Sequence, residues 1–593
     1  MPPTVTSARS VSAVRRVRFL YAVAAFLLGI FLVRLFYLQI IRHDFYRKVA
    51  ASDQLREYQI PATRGVIMAR NGDELVPIVL NQKLYTLYAD PVLVKDARRT
   101  AETLRSILGG KTEDYIKELK TPDTRYVVLA KKADAAKKDA VLKHKLPGIG
   151  AQEMAYRTYP NGMLASQLLG FVNDDGEGAY GVEQALNKRL SGTPGELKAV
   201  TDVNGVPLAA STGNVRIAPK AGDKVVLTID VAMQKQLETI LKQGLQNAKS
   251  ESGSALIMNP NTGAVKAMAN WPTYDPGNYA AVTDGGVFNN PAVSSPLEVG
   301  SIMKPLTAAA ALDQGAVRAD SSYDDPAQWT IDGYKITNIE EDGGPARRSV
   351  TDILNFSLNT GATWLLMQMG KPGGTEITRE GREKWHDYMV NHYRLGRTTG
   401  IEQGYEAPGS VPHPTKGYGR DLTYANSSFG QGMSATPIQM AAAFSAMING
   451  GTYFQPRLAD QFISPDGKVT ANKPKVLKAD VVSPQVSRDI QHMLEYVVAE
   501  RNFKPRFNQQ LYSVGGKTGT AQIADPTGAG GYKEHDFNGT YLGFVGGDKA
   551  QYVIMVRVNE PKIGGYAGSA AAQPIFGSLA HMLIDNFGVA PKR

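Results

Sequence analysis

The chain has 593 residues, 43% hydrophobic and 21% charged, a composition that can bury real cores and a length beyond one ordinary domain. Its net charge of +10, from 66 basic and 56 acidic residues, is mild for this length. It suits an anionic membrane or wall polymer, and no basic run interleaved with aromatics makes a nucleic-acid stripe. Cysteine is absent, which excludes thiol catalysis, disulfides and cysteine-ligated zinc together.

Residues 1–18 carry Arg9, Arg15, Arg16 and Arg18 and no acid, and 19–33 are unbroken apolar sequence. After Arg34 the apolar run continues to Ile41, so residues 19–41 are long enough to span a bilayer, with the arginine snorkelling to the interface. A buried core helix would be shorter. A cleaved signal peptide would show a shorter apolar region and a small-x-small site after it. The segment is read as a single uncleaved anchor. Arg42, Arg47 and Lys48 on its far side leave its orientation undecided by charge.

Residues 44–219 read as an irregular mixed domain. Residues 85–90 alternate like a strand, 98–108 form a short helix, and the lysine-crowded, Ala-rich stretch 131–145 is predicted helical and solvated. Glycine turns punctuate 170–205, and the scattered acids are read as surface charges. The pattern changes at Ala221-Gly222-Asp223. A strand over 225–229 leads to Asp230, which caps a helix through Gln234, Leu237 and Leu241. A hairpin joins 255–258 to 264–269 across Asn259-Pro-Asn-Thr-Gly263. A helix-rich middle over about 301–447 gives way to strands at 513–520, 539–545 and 552–558 and a closing helix at 576–586. One domain whose sheet joins both ends of the segment is predicted.

The chemistry concentrates on Glu298-Val-Gly-Ser301-Ile-Met-Lys304-Pro305. Ser301 is predicted in the first turn of a buried helix, with Lys304 three residues on and within reach. A buried lysine whose pKa is lowered can take a serine's proton, and the helix N-terminus favours an oxyanion. Alone, Ser-x-x-Lys more often marks a solvated helix face. Ser357-Leu358-Asn359 enters a further helix; its serine could relay a proton and its amide position a lysine or a substrate carbonyl, although a helix cap is the commoner use. Gly515-Gly-Lys517-Thr518-Gly519-Thr520 is sharper: glycines allow close approach by an extended peptide, and the lysine and threonines can hold a carboxylate. A phosphate loop would need glycine where Leu511 stands. His-Glu-x-x-His and Gly-x-Ser-x-Gly are both missing, which weakens zincin and α/β-hydrolase readings.

Ser-x-x-Lys, Ser-x-Asn and Lys-Thr-Gly in that order match the signature of serine β-lactamases and penicillin-binding proteins, with Leu358 where the pattern has Asp. The chain resembles a class B penicillin-binding protein, a peptidoglycan D,D-transpeptidase. The likeness extends over Arg64-Gly65, Arg157-Thr-Tyr159-Pro160, Gly181-Val-Glu183, Ser428-Phe-Gly430-Gln-Gly432 and Thr436-Pro437. Gly181-Val-Glu183, with Asp202 and Gly205, is similar to the division-specific subgroup. No glycosyltransferase-sized domain precedes the pedestal, unlike a bifunctional class A enzyme.

The resemblance implies an α+β fold: a cytoplasmic N-terminus over 1–18, an anchor over 19–41, an extended mixed pedestal (dimerisation-type) domain over 42–220, and a transpeptidase domain over 221–593 with an antiparallel sheet flanked by helices. It implies Ser301 as nucleophile, Lys304 as base, and Ser357 with Lys517 as the path of the proton to the leaving group. It further implies that Asn359 orients the peptide, Thr518, Gly519 and Thr520 bind substrate, and the Ser301 and Thr520 N–H groups form the oxyanion hole. The implied substrates are stem peptides ending D-Ala-D-Ala, with β-lactams as inhibitors, no metal or other cofactor, no nucleic acid, and a membrane glycosyltransferase and division proteins as partners. The catalytic domain is then extracytoplasmic on a single-pass cell-membrane anchor. A side-wall elongation transpeptidase and a D,D-carboxypeptidase or β-lactam hydrolase share the acylation motifs.

Overall fold

The computed structural model describes residues 10–46, 55–200, 215–338, 344–417, 419–501, 503–524 and 531–593. Arg9, Arg47, Lys48, Asp202 and Gly205 lie outside them. The chain falls into two compact units, residues 1–62 with 192–220 and residues 63–191 with 221–593. In the first, the helix Ser10–Phe36 runs into a π-turn at Tyr37–Ile41. The 27 residues Arg15–Ile41 are long and apolar enough to cross a membrane, about 40 Å at the helical rise, and most of their large apolar side chains are exposed. The same unit holds a three-stranded antiparallel sheet with Gly195–Val200 between Leu55–Ile60 and Val215–Ile217.

In the second unit, two sheets organise the chain. The strand Lys224–Asp230 pairs in parallel with Ile67–Asn71 and antiparallel with Ala459–Ile463. A seven-stranded sheet therefore runs across the expected boundary near residue 221. The strand expected at 85–90 is longer, Glu74–Ala89, and the helix expected at 98–108 is Ala97–Leu108, capped by Asp96. The stretch 131–145 is only partly helical. Val127–Ala133 is a strand paired with Glu74–Ala89, because its Val-Val-Leu-Ala run can bury against that sheet, and Asp134 then caps the helix Ala135–Lys143.

The acids of this region are not all surface charges. Glu183 is fully buried. It accepts hydrogen bonds from Arg64 Nε at 2.8 Å and Arg157 Nε at 2.7 Å, and Arg157 Nη1 also donates to Asn81 Oδ1 at 2.8 Å. Three short motifs spread over 120 residues of sequence thus meet at one ion-pair cluster. The carboxylate can be buried because two guanidinium groups and their forked donors compensate it.

The second sheet has five antiparallel strands in the order Val265–Trp271, Ser252–Met258, Ala550–Asn559, Tyr532–Gly546, Ser513–Ala524. It joins the two ends of the segment, as the order of elements predicts. Alternate residues feed two cores: Leu542, Phe544, Val553 and Met555 on one face, and Tyr541, Val545, Ile554, Val556 and Val558 on the other. Both faces are covered, so the strands read as nearly continuous apolar runs. Helices Val231–Asn247 and Gln573–Asn586 cover the second face through Leu237, Leu241, Phe576 and Leu579. The helical middle covers the first, with Lys304–Asp313 buried all round, as its Ala-rich sequence requires.

Candidate active site

The three motifs come from different elements and converge. Ser301 lies in a 3-10 turn, Gly300–Met303, that leads directly into the helix Lys304–Asp313, not inside that helix as expected. Lys304 is the first helical residue and Pro305 the second, where a missing N–H costs nothing. The tighter turn still leaves Ser301 and Lys304 on one side. Lys304 Nζ donates to Ser301 Oγ at 3.0 Å, Ser357 Oγ at 3.1 Å and Asn359 Oδ1 at 2.9 Å, and to the Ser357 carbonyl. The lysine is fully buried, with its ammonium also near the face of Phe429, 6.0 Å from the ring centroid.

Ser357 and Asn359 do not cap the helix Asn359–Gly370; its N-cap is Leu358, with no side-chain cap bond. Ser357 has φ of 60°, a left-handed conformation that costs a non-glycine residue about 1–3 kcal/mol. This backbone kink turns both the carbonyl and the hydroxyl of Ser357 to Lys304. Asn359 holds the lysine with its Oδ1 and donates its Nδ2 to the Thr337 carbonyl at 3.0 Å. The amide is therefore fixed at both ends.

The Lys-Thr-Gly-Thr run lies on the edge strand Ser513–Ala524, whose outer side carries no strand among the described residues, an arrangement that can accept an extended peptide. Lys517 is buried, and its Nζ donates to the Thr518 carbonyl at 3.2 Å and lies 3.4 Å from Thr518 Oγ1. Thr520 Oγ1 accepts the Gly568 N–H at 2.9 Å, which leaves the hydroxyl proton for another acceptor. A Cβ on Gly519 would sit 2.7 Å from the Val299 carbonyl oxygen, so only glycine lets the strand press against the turn that carries Ser301. Thr540 Oγ1 donates to that same carbonyl at 3.0 Å.

Two features escaped sequence reasoning. Gly300 has φ of 64°, its N–H donates to the Gly430 carbonyl at 3.0 Å, and a Cβ there would lie 2.7 Å from the Thr520 carbonyl oxygen and 3.2 Å from its nitrogen. The turn and the strand are thus held in backbone contact, which brings Ser301 beside Thr520. Gly300→Ala is expected to destabilise the protein by about 1–3 kcal/mol. Thermal unfolding measures the effect; an unchanged melting temperature would show the glycine dispensable. Glu298 is the second feature. It accepts the Gly432 N–H at 3.0 Å and the Tyr532 hydroxyl at 3.1 Å, and burial pushes its carboxyl above the usual carboxylate range. Its place three residues before the serine was the available signal, but no motif assigned it a task.

Residues 253–581 match the penicillin binding protein transpeptidase domain, and residues 59–227 match the penicillin-binding protein dimerisation domain. Stage V sporulation protein D of Bacillus subtilis is 31% identical over 94% of this chain and 84% of its own length. The chain belongs to the class B penicillin-binding proteins. This penicillin-binding protein is also 28% identical to the peptidoglycan D,D-transpeptidase FtsI of Escherichia coli K12, over 96% of the chain and 90% of that protein. Among solved structures it superposes on penicillin binding protein 3 of Mycobacterium tuberculosis, in complex with aztreonam, with a TM-score of 0.66 and 26% identity, covering 90% and 98% of the two chains.

Proposed function

We propose that this penicillin-binding protein is a peptidoglycan D,D-transpeptidase that works through a serine acyl-enzyme on Ser301 and is blocked by β-lactams. The observation that carries the reading is the buried Lys304 amine, 3.0 Å from Ser301 Oγ and held by Ser357 and Asn359. Ser301 attacks the carbonyl of the penultimate D-Ala of a stem peptide while Lys304 takes the hydroxyl proton. Ser357 and Lys517 pass a proton to the departing D-Ala. The backbone N–H groups of Ser301 and Thr520 receive the oxyanion, a reading supported by the close approach of Gly300 to Thr520. Thr518 and Thr520 hold the terminal carboxylate, Gly519 lets the strand approach, and Asn359 orients the peptide. An amine of a neighbouring stem then replaces Ser301 and completes the cross-link.

The reading extends to the architecture and the cell: an N-terminus over 1–18 in the cytoplasm, an anchor over 19–41, a pedestal over 42–220 and an extracytoplasmic transpeptidase domain over 221–593. The membrane partner is a glycosyltransferase that makes the glycan strands being cross-linked. Work at the septum rests on the likeness to FtsI and on Gly181-Val-Glu183; a tagged protein at midcell supports it, and one spread along the side wall overturns it. Ser301→Ala is expected to abolish covalent labelling by a fluorescent penicillin. Wild-type label should persist; release within minutes would instead mark a hydrolase.

A further inference from the structure

A small hairpin, Gln328–Ile331 paired with Tyr334–Thr337, ends against Asn359. Asn359 Nδ2 donates to the carbonyl of Thr337, the last paired residue, at 3.0 Å, while Asn359 Oδ1 accepts from Lys304 Nζ at 2.9 Å. Which way this amide faces matters, because its two ends are alike in shape and opposite in hydrogen bonding. A carbonyl can only accept, so Thr337 selects the orientation that puts the amide oxygen on the lysine. Reversed, the NH2 would donate to the lone pair of a neutral Lys304, the pair that must take the Ser301 proton. As placed, the Asn359 oxygen and the Ser357 carbonyl accept the amine's two protons and leave its lone pair for Ser301.

A two-stranded hairpin is marginal in water by itself, so the position of the Thr337 carbonyl depends on what anchors the hairpin. Asn338, the next residue, grips Thr360, the fully buried neighbour of Asn359. Its Oδ1 accepts the Thr360 N–H at 3.1 Å and the Thr360 hydroxyl at 2.9 Å. Its Nδ2 donates to that hydroxyl oxygen at 2.7 Å and to Oδ2 of the buried Asp325 at 3.1 Å. Trp329 Nε1 adds a bond to the Thr360 carbonyl at 3.1 Å. The helix Asn359–Gly370 has no side-chain cap from its own N-cap residue, and the N–H groups of a first turn lack partners inside the helix. Asn338 supplies that cap from the hairpin. The clasp is reciprocal: each asparagine holds the backbone beside the other.

We propose that Asn338 is a positioning residue for acylation: by capping the helix at Thr360 it holds the Thr337 carbonyl on Asn359 Nδ2, which keeps the Asn359 oxygen turned to Lys304. The inference rests on the reading of Ser301 as nucleophile and Lys304 as base. Asn338 touches neither residue and acts only through the Asn359 amide.

The test follows labelling of the full chain in detergent at one fixed concentration of fluorescent penicillin. The first-order rate constant is read, which does not depend on how much of a sample is folded. Asn338→Ala is expected to slow labelling about tenfold, the scale of one well-placed hydrogen bond. In an Asn359→Ala background the same substitution should change the rate by less than about twofold, because the amide it positions is gone. A merely structural asparagine would slow both backgrounds alike. Thr360→Val keeps the shape and the N–H but removes the hydroxyl that Asn338 grips, and should slow labelling about threefold or more. Thr360→Ser restores the hydroxyl and should restore the rate. Should Asn338→Ala give no folded protein, the Thr360 pair in the two Asn359 backgrounds decides. Wild-type rates in Asn338→Ala and Thr360→Val, or equal slowing with and without the Asn359 amide, overturn the inference. Undiminished labelling of Ser301→Ala would instead overturn the acyl-enzyme reading.

Discussion

Lys304→Ala is expected to slow acylation by a fluorescent penicillin by about a thousandfold or more, at the upper end of what a positioned general base contributes. The variant should still fold, because the alanine continues a helix that is already Ala-rich and buried on all sides. The reason for the large effect is geometric. The lysine's amine lies 3.0 Å from Ser301 Oγ, and Ser357 and Asn359 hold it there. Removing it leaves a serine with no base at hand. Stopped-flow or gel-based labelling, alongside thermal melting of the same sample, makes the comparison. Undiminished labelling of a folded Lys304→Ala protein would remove the lysine from the mechanism.

Glu183→Ala should cost about 3–5 kcal/mol of stability, because it strands two buried cations. Arg64 and Arg157 both turn to this fully buried carboxylate, and the Asn81 side chain ties them together: its amide donates to the Arg64 carbonyl and its Oδ1 accepts from Arg157. The loss should appear as an earlier urea midpoint and a lower melting temperature, although Glu183 lies in the stretch that matches the dimerisation domain and away from the serine motifs in sequence. Glu183→Gln, which keeps the shape and removes the charge, should recover only part of it. A change below about 1 kcal/mol, the scale of an exposed pair, would show that the cluster is solvated.

Much of the active site was legible because its chemistry is local. Ser301 and Lys304 are three residues apart on one turn, and Lys517 to Thr520 are consecutive on one strand, so spacing alone gives their reach. The strand–helix–strand order likewise foretold a sheet closing from both ends, since apolar runs such as Val553 to Val556 have few other uses. Glu183 was misread for the opposite reason. Its partners are 26 and 119 residues distant in sequence, and nothing in a lone glutamate reveals two arginines folding over it. Residues 131–133 were misread because alanine and lysine favour a helix in isolation, while pairing with Glu74–Ala89 overrides that preference.

The sequence by itself determined the three candidate-site motifs, the apolar N-terminal helix and the family. Each is written in short-range patterns of residue type that physical chemistry can read without a fold. Only the tertiary structure decided how those groups meet. It put Ser301 in a 3-10 turn ahead of its helix, used the left-handed backbone of Ser357 to bring its carbonyl and hydroxyl onto Lys304, and pressed Gly300 and Gly519 into backbone contact across the turn and the edge strand. These are long-range contacts whose geometry depends on everything packed around them, and no local pattern carries that information.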